Sequence, residues 1–149
     1  WNWNIEGTAW LARHFWEHYL FNCDREFLAQ QAYPYMRGVA LFWLDGLKEV
    51  DGQLLVPNVW SHEHGPYEDG TAHAQQLMWD LFTSTLEAAQ ILGEDAALCQ
   101  RLQQTLPRLA GPQIGSWGQL MEWQEKARTR TQQPPPHQPS LRPLPRPPN

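Results

Sequence analysis

This sequence of 149 residues predicts an all-α fold of about five helical segments interrupted by one irregular loop. Three observations predict it. Apolar and aromatic residues recur at three- and four-residue spacing through most of the first 106 positions, helix-ending signals separate the periodic stretches, and Pro57 to Gly70 shows no periodicity at all.

Trp10, Leu11, His14, Phe15, His18 and Tyr19 share one helical face, which predicts a helix from about Glu6 to Phe21. Asn22 and Asp24 then end that helix and cap the next, since short side-chain oxygens accept from the free N–H groups of a first turn. The following stretch, Asp24 to Leu47, contains Pro34, which brings no N–H and should split or kink it near Ala32, giving a helix pair. Val50-Asp51-Gly52-Gln53 reads as a turn, and Leu54-Leu55-Val56 as a short extended run before Pro57. After the loop, Leu77, Leu81, Thr85 and Ala88 form one stripe of a helix from Thr71 to Leu92, closed by Gly93. Ala96 to Leu106 is a further helix, stopped by Pro107.

The chain is two populations. Residues 1–125 carry six Lys and Arg against all sixteen acidic residues, a net charge of −10, together with all nine Trp. Residues 126–149 carry five basic residues, no acid, no aromatic residue and eight of the thirteen Pro. An acidic, aromatic-rich body argues against a nucleic-acid partner. No apolar run approaches the roughly 18 residues of a membrane span, which argues against a membrane partner as well. The sequence does not open on Met or on a leader-like segment, so it is expected to begin inside a longer polypeptide. Cys23 and Cys99 could pair or stay free, and the compartment is left open. From Lys126 onward too few apolar side chains are present to offset the entropy of ordering, which predicts a disordered or polyproline-like tail.

Three constellations could carry chemistry. His14-Phe15-Trp16-Glu17-His18 has the His-x-x-Glu-His spacing with which one helix face can grip zinc beside a glutamate base, with Glu87 as a conceivable third donor. Against this stands the plain reading of two half-buried histidines on an aromatic helix. Val59-Trp60-Ser61-His62-Glu63-His64-Gly65-Pro66 sets a carboxyl among His and Trp in a Pro- and Gly-bounded loop. Partial desolvation there could hold a proton on Glu63 near neutral pH, as a general acid requires, where a surface glutamate would lose it. Finally, indole faces suit the C–H faces of pyranose rings, although most tryptophans serve core packing.

In order, Gly7-Thr8-Ala9-Trp10-Leu11, His14 to Tyr19, Asp24-Arg25-Glu26-Phe27-Leu28, Tyr33-Pro34, Glu63-His64-Gly65-Pro66, Gln76 to Phe82 and Gly118-Gln119-Leu120-Met121-Glu122-Trp123 resemble glycoside hydrolase family 95 over roughly Trp1 to Glu125. The family comprises α-L-fucosidases, some favouring α-L-galactosides. The resemblance implies that residues 1–125 are part of an (α/α)6 barrel, a partial toroid, followed by the disordered Pro-rich tail 126–149. It replaces the zinc reading of the first helix and implies no metal and no cofactor. It implies Glu63 as general acid, in Ser61-His62-Glu63 where the family usually has Ser-Pro-Glu, and Trp10, Trp60 and His64 as substrate contacts. Ala74 stands where the family commonly has an aspartate before the glutamine pair.

The implied reaction is inverting hydrolysis of a terminal α-L-fucosyl bond in an oligosaccharide or glycan, with acid and base carboxyls about 6.5–9.5 Å apart. The family's asparagines and general base fall outside the stretch of resemblance, so the chain is expected to be inactive alone and, as an incomplete toroid, poorly soluble or loosely packed. A catalytically silent carbohydrate-binding fragment and a zinc peptidase are the alternative readings. Reading the tail one base forward allows His-Arg-His-Thr-Ser-His-Leu-Phe-Ala over Pro134 to Arg142 and then Leu-Tyr-Pro-Gly-Arg-Gln. That is in register with the run family members carry after the Glu-Trp segment. The tail thus reads as a one-base frameshift near Lys126, and otherwise as a Pro-rich ligand for SH3-like or WW-like domains.

Overall fold

The computed structural model describes residues 4–61, 64–116 and 118–124, with only the backbone of residues 64–66. Trp1, Trp3, His62, Glu63, Trp117 and the tail from Lys126, expected to be disordered, lie outside the described residues.

Helix α1 spans Gly7–Asn22, close to the predicted bounds. Its free N-terminal donors are met by Asn4, whose Oδ1 accepts from the Gly7 N–H at 2.9 Å, and by the Glu6 carbonyl. It ends at Cys23, which takes the left-handed conformation (φ 52°) and returns its N–H to the Tyr19 carbonyl. Asp24 then caps α2, Arg25–Phe27, accepting from the N–H groups of Glu26 and Phe27 at 3.0 Å each, as its position predicts.

The predicted split at Pro34 takes a particular form. The chain keeps its helical path through a π-helical turn, Leu28–Ala32, into α3, Tyr33–Gly46, with the Tyr33 N–H reaching the Leu28 carbonyl five residues back. Pro34 lies just after this wider turn, which gives its ring room and absorbs the missing N–H within the continuous helical path.

Two hairpins follow, and the second corrects the reading of an irregular loop. Strands β1, Lys48–Val50, and β2, Gln53–Leu55, pair antiparallel around Asp51-Gly52, both with positive φ (50° and 81°), the geometry that suits the twist of a two-residue hairpin. Strands β3, Val59–Ser61, and β4, His64–Glu68, also pair antiparallel, Val59 opposite Glu68 and Trp60 opposite Tyr67, with a register shift between Trp60 and Ser61. A three-residue strand, a register shift and a Gly-Pro pair leave no alternation to read in the sequence. Pro66 is tolerated because both strands of a two-stranded sheet are edges.

Helix α4, Ala72–Leu92, is the central element and packs against α1, α3 and α5, the last spanning Ala96–Thr105. Leu81, Thr85 and Ala88 of the predicted stripe are buried and Leu77 is partly so. Ala74, Met78, Phe82 and Ala89 are buried too, because α4 is enclosed on more than one side. Gly93 closes α4 at φ 77°, and Pro107 converts the end of α5 into a 3₁₀ turn, Leu106–Arg108.

Cross-helix contacts fix the directions. Trp10 meets His73, Arg13 approaches Asp80 at 3.9 Å, and Arg25 reaches the Leu92 carbonyl, so α1 and α4 run the same way. Arg101 pairs with Asp45, and the Arg37 and Tyr33 side chains meet Asp95, so α3 and α5 run back. Helices of alternating direction are what a partial α/α toroid consists of. All starts of α1 and α4, and both hairpins, gather at one end, hereafter the rim. Among the described residues no helix is long and apolar enough to cross a membrane.

Candidate functional site at the rim

The rim is organised by a few polar side chains that bind backbone. Gln75, in the first turn of α4 and 4% exposed, accepts from the Val56 N–H at 2.7 Å and donates to the Leu54 and Ala110 carbonyls at 3.0 and 3.1 Å. One amide thereby joins the first hairpin, the approach to the second and the segment after α5. Gly70 returns its N–H to Val56 at 2.8 Å with φ 73°, and a Cβ there would lie 2.8 Å from Leu55 Cδ2 and 2.9 Å from Gln124 Cγ. No other residue fits without displacement.

Asp69 ties the base of the second hairpin. Its Oδ1 accepts from the Asn58 N–H at 2.9 Å and its Oδ2 pairs with Lys48 Nζ at 2.5 Å. Burial pushes the Asp69 carboxyl up, but the Lys48 ammonium and the Asn58 N–H outweigh it and leave the group below its ordinary value. At the opposite end, the Arg37 guanidinium, followed by the Tyr33 hydroxyl, holds Asp95 low, while burial and then Asp95 push the Tyr33 phenol up.

The hairpin presents an aromatic face. Val59 and Ser61 point inward and are buried, leaving Trp60 half-buried on the other face beside Tyr67, ring centroids 5.2 Å apart at 59°. Trp10 is 46% exposed and meets the edge of His73 with centroids 6.0 Å apart. Two of the predicted sugar contacts, Trp10 and Trp60, therefore stand at the rim. His64 begins β4 opposite Ser61, its side chain not described, and Glu63 lies outside the described residues. A polar cleft of about 610 Å³ opens beside this hairpin, lined by Lys48, Asp51, Gln53, Tyr67, Asp69 and Gln113 among others.

The histidines of His14-Phe15-Trp16-Glu17-His18 serve different neighbours. His14 Nδ1 is 3.7 Å from Glu17 Oε2, whereas the His18 ring lies 4.3 Å from that of Phe27 and 3.4 Å from the Asn22 amide. Among the described residues no group of three His, Cys, Asp or Glu side chains is arranged to hold a metal ion. Cys23 and Cys99 are both free thiols.

Sequence reasoning missed Gln75, Asp69 and Ser61 as organisers. Gln75 had a readable signal, a polar side chain one position after Ala74 and three before Met78 on the buried face of α4. It missed Glu6 as well, 1% exposed at the start of α1, with neither carboxyl oxygen hydrogen-bonded among the described residues.

Paired helices of alternating direction with an aromatic-faced hairpin at one rim are features of a helical glycoside hydrolase domain. The chain belongs to glycosyl hydrolase family 95, whose catalytic-domain profile matches residues 1–139. That match runs past residue 125, where the resemblance read from the sequence ended. The chain is 35% identical over 129 residues to the probable alpha-fucosidase A of Aspergillus niger, covering 78% of this chain and 16% of that one. It is 32% identical over 130 residues to alpha-L-fucosidase 2 of Arabidopsis thaliana, covering 80% and 15%. Over 74 residues it is 40% identical to the probable alpha-fucosidase A of Aspergillus oryzae, covering 48% and 10%. The chain thus spans about a sixth of the length of the first of these relatives.

Proposed function

We propose that this chain is the acid-bearing part of an α-L-fucosidase catalytic domain that hydrolyses terminal α-1,2-linked fucosyl units of oligosaccharides with inversion. The observation that carries the reading is the second hairpin. Its strands bracket Glu63, and its Trp60–Tyr67 pair offers an aromatic face at the rim where Trp10 also stands. Glu63 protonates the glycosidic oxygen as the bond to the anomeric carbon breaks, which requires a carboxyl that keeps its proton near neutral pH. Trp60, Trp10 and His64 hold the sugar, the indole rings through its C–H faces. A second carboxylate from another part of the domain activates water on the opposite face of the ring. On this reading the 149 residues alone are inactive, and the tail 126–149 is a one-base frameshift product of the His- and Arg-rich continuation.

The test compares hydrolysis of an α-1,2-fucosyl oligosaccharide by the 149-residue chain with that by a polypeptide in which the frame is restored and the flanks are added. Activity in the second alone, abolished by Glu63→Gln and releasing β-L-fucose first by NMR, is the expected result. Activity in the short chain would overturn the missing-base account, and α-fucose as the first product would overturn inversion. No hydrolysis by either polypeptide would overturn the fucosidase reading, and a gene whose shifted frame lacked the His-Arg-His run would overturn the frameshift.

A further inference from the structure

Ser61 is the last residue of β3, two positions before Glu63, and it is 4% exposed. The register of the hairpin shifts at this residue, so the strand ladder alone does not hold its side chain. Its Oγ donates instead to the carboxylate of Glu122, sixty-one positions later in the chain. Glu122 is itself anchored from several directions. Its carbonyl accepts from the Ala72 N–H at the start of α4 at 2.8 Å, and its neighbours Met121 and Trp123 are 5% and 8% exposed. The Met121 N–H bonds to the Gln113 carbonyl, and the side chains of Gln113 and Gln124 bond to each other.

We infer that Glu122 is a positioning residue for the general acid, acting through Ser61. This rests on the reading of Glu63 as that acid. A carboxylate is suited to the task because it accepts only, and its charge strengthens the single bond a serine hydroxyl can donate. With its backbone fixed to α4 and its side chain fixed to Ser61, Glu122 holds the end of β3 two positions before Glu63. An acid displaced by about 1 Å loses on the order of 10²-fold in rate. The loss falls on protonation of the leaving oxygen and spares sugar binding.

The experiment uses the whole fucosidase, this segment together with the rest of the catalytic domain, and two substrates. One is an α-1,2-fucosyl oligosaccharide, whose leaving group needs a proton, and the other is α-L-fucosyl fluoride, whose leaving group departs without one from the acid. Glu122→Ala and Ser61→Ala are expected to lower kcat on the oligosaccharide roughly 10- to 100-fold. KM should stay within about twofold and the fluoride should be largely spared, as should also hold for Glu63→Gln. The double variant should be no worse than Glu122→Ala alone, in which the Ser61 bond is already lost. Glu122→Gln keeps an acceptor oxygen and should recover part of the rate.

Equal losses on both substrates, or an additive double variant, would overturn the inference and leave Glu122 a stabilising residue. Should Glu122→Ala fail to fold, Ser61→Ala and Glu122→Gln decide by the same substrate contrast. A Glu63→Gln enzyme that loses both substrates alike, or neither, would instead overturn the acid assignment beneath it.

Discussion

Gln75 shows how much of the rim rests on a single side chain. Three backbone groups bond to its amide, the Val56 N–H and the Ala110 carbonyl through it alone among the described residues and the Leu54 carbonyl with the Ala110 N–H as a second donor at 3.1 Å. Replacement by Ala leaves buried groups unpaired at about 1–3 kcal/mol each, partly relieved by relaxation. Gln75→Ala is expected to destabilise by about 2–5 kcal/mol in urea unfolding, and a change below about 1 kcal/mol would show the bonds to be replaceable by water. Asp69 adds a pH dependence. A carboxyl held below its ordinary value contributes stability above the unfolded value, about 3.9, and that contribution is lost as pH falls through the depressed folded value. The hairpin base should therefore loosen only on acidification below about pH 4, and Asp69→Asn should remove that part of the acid dependence. Amide exchange at Asn58 reads this directly, and an unaltered acid profile in the variant would contradict it. The sequence showed Glu63, Trp10 and Trp60 as candidates because their residue types carry chemistry. It did not show Gln75 or Asp69, whose importance comes from which distant backbone groups they meet.

Among the elements, the helices were legible where a local signal ends or begins them. Asp24, Gly93 and Pro107 each act within a turn of their own position, and each boundary falls where they predict. The hairpin of β3 and β4 was not legible, because its pairing depends on partners up to nine positions apart and on Asp69 and Glu122 outside the strands. The π turn lies between these cases: Pro34 announced a disturbance but not its kind. Its effect on register is visible in Phe15, which stacks on both Phe27 (6.4 Å) and Tyr35 (4.9 Å). Eight residues of regular α-helix would turn those two rings roughly 80° apart, whereas one residue absorbed by the wide turn brings them within about 20°. Deleting one residue from Leu28–Ala32 together with Pro34→Ala is accordingly expected to fold as one continuous helix with a thermal midpoint near the parent's. The same deletion in the middle of α3 should abolish the cooperative transition, and equal behaviour of the two deletions would show that the turn stores no spare residue.

At the scale of the whole molecule, alternating helices leave apolar side chains outside. Phe21 is 88% exposed, Phe42 and Trp79 56% each, and Leu11 55%. In a chain spanning about a sixth of its Aspergillus niger relative, such faces are expected to draw copies together. Light scattering of the purified 149 residues should show mass rising with concentration, and a strict monomer across the micromolar range would refute this. The toroid class and its core were legible in the sequence, from helical period and from the ordered family motifs. The sorting of connections between the two ends was not, since it depends on helix direction. That sorting has a consequence for inheritance. At one end the chain reverses within a few residues, at Cys23 and at Gly93, and any added length there would pull helix partners apart. At the other, residues 47–71 connect α3 to α4 as a long excursion that can lengthen or shrink without disturbing a helix pair. Exchanging residues 47–71 for the corresponding segment of the Arabidopsis relative should leave helical circular dichroism unchanged, and loss of that signal would count against the separation. Descendants of one ancestral array can in this way diverge in the shape of the rim while keeping a common set of tight turns.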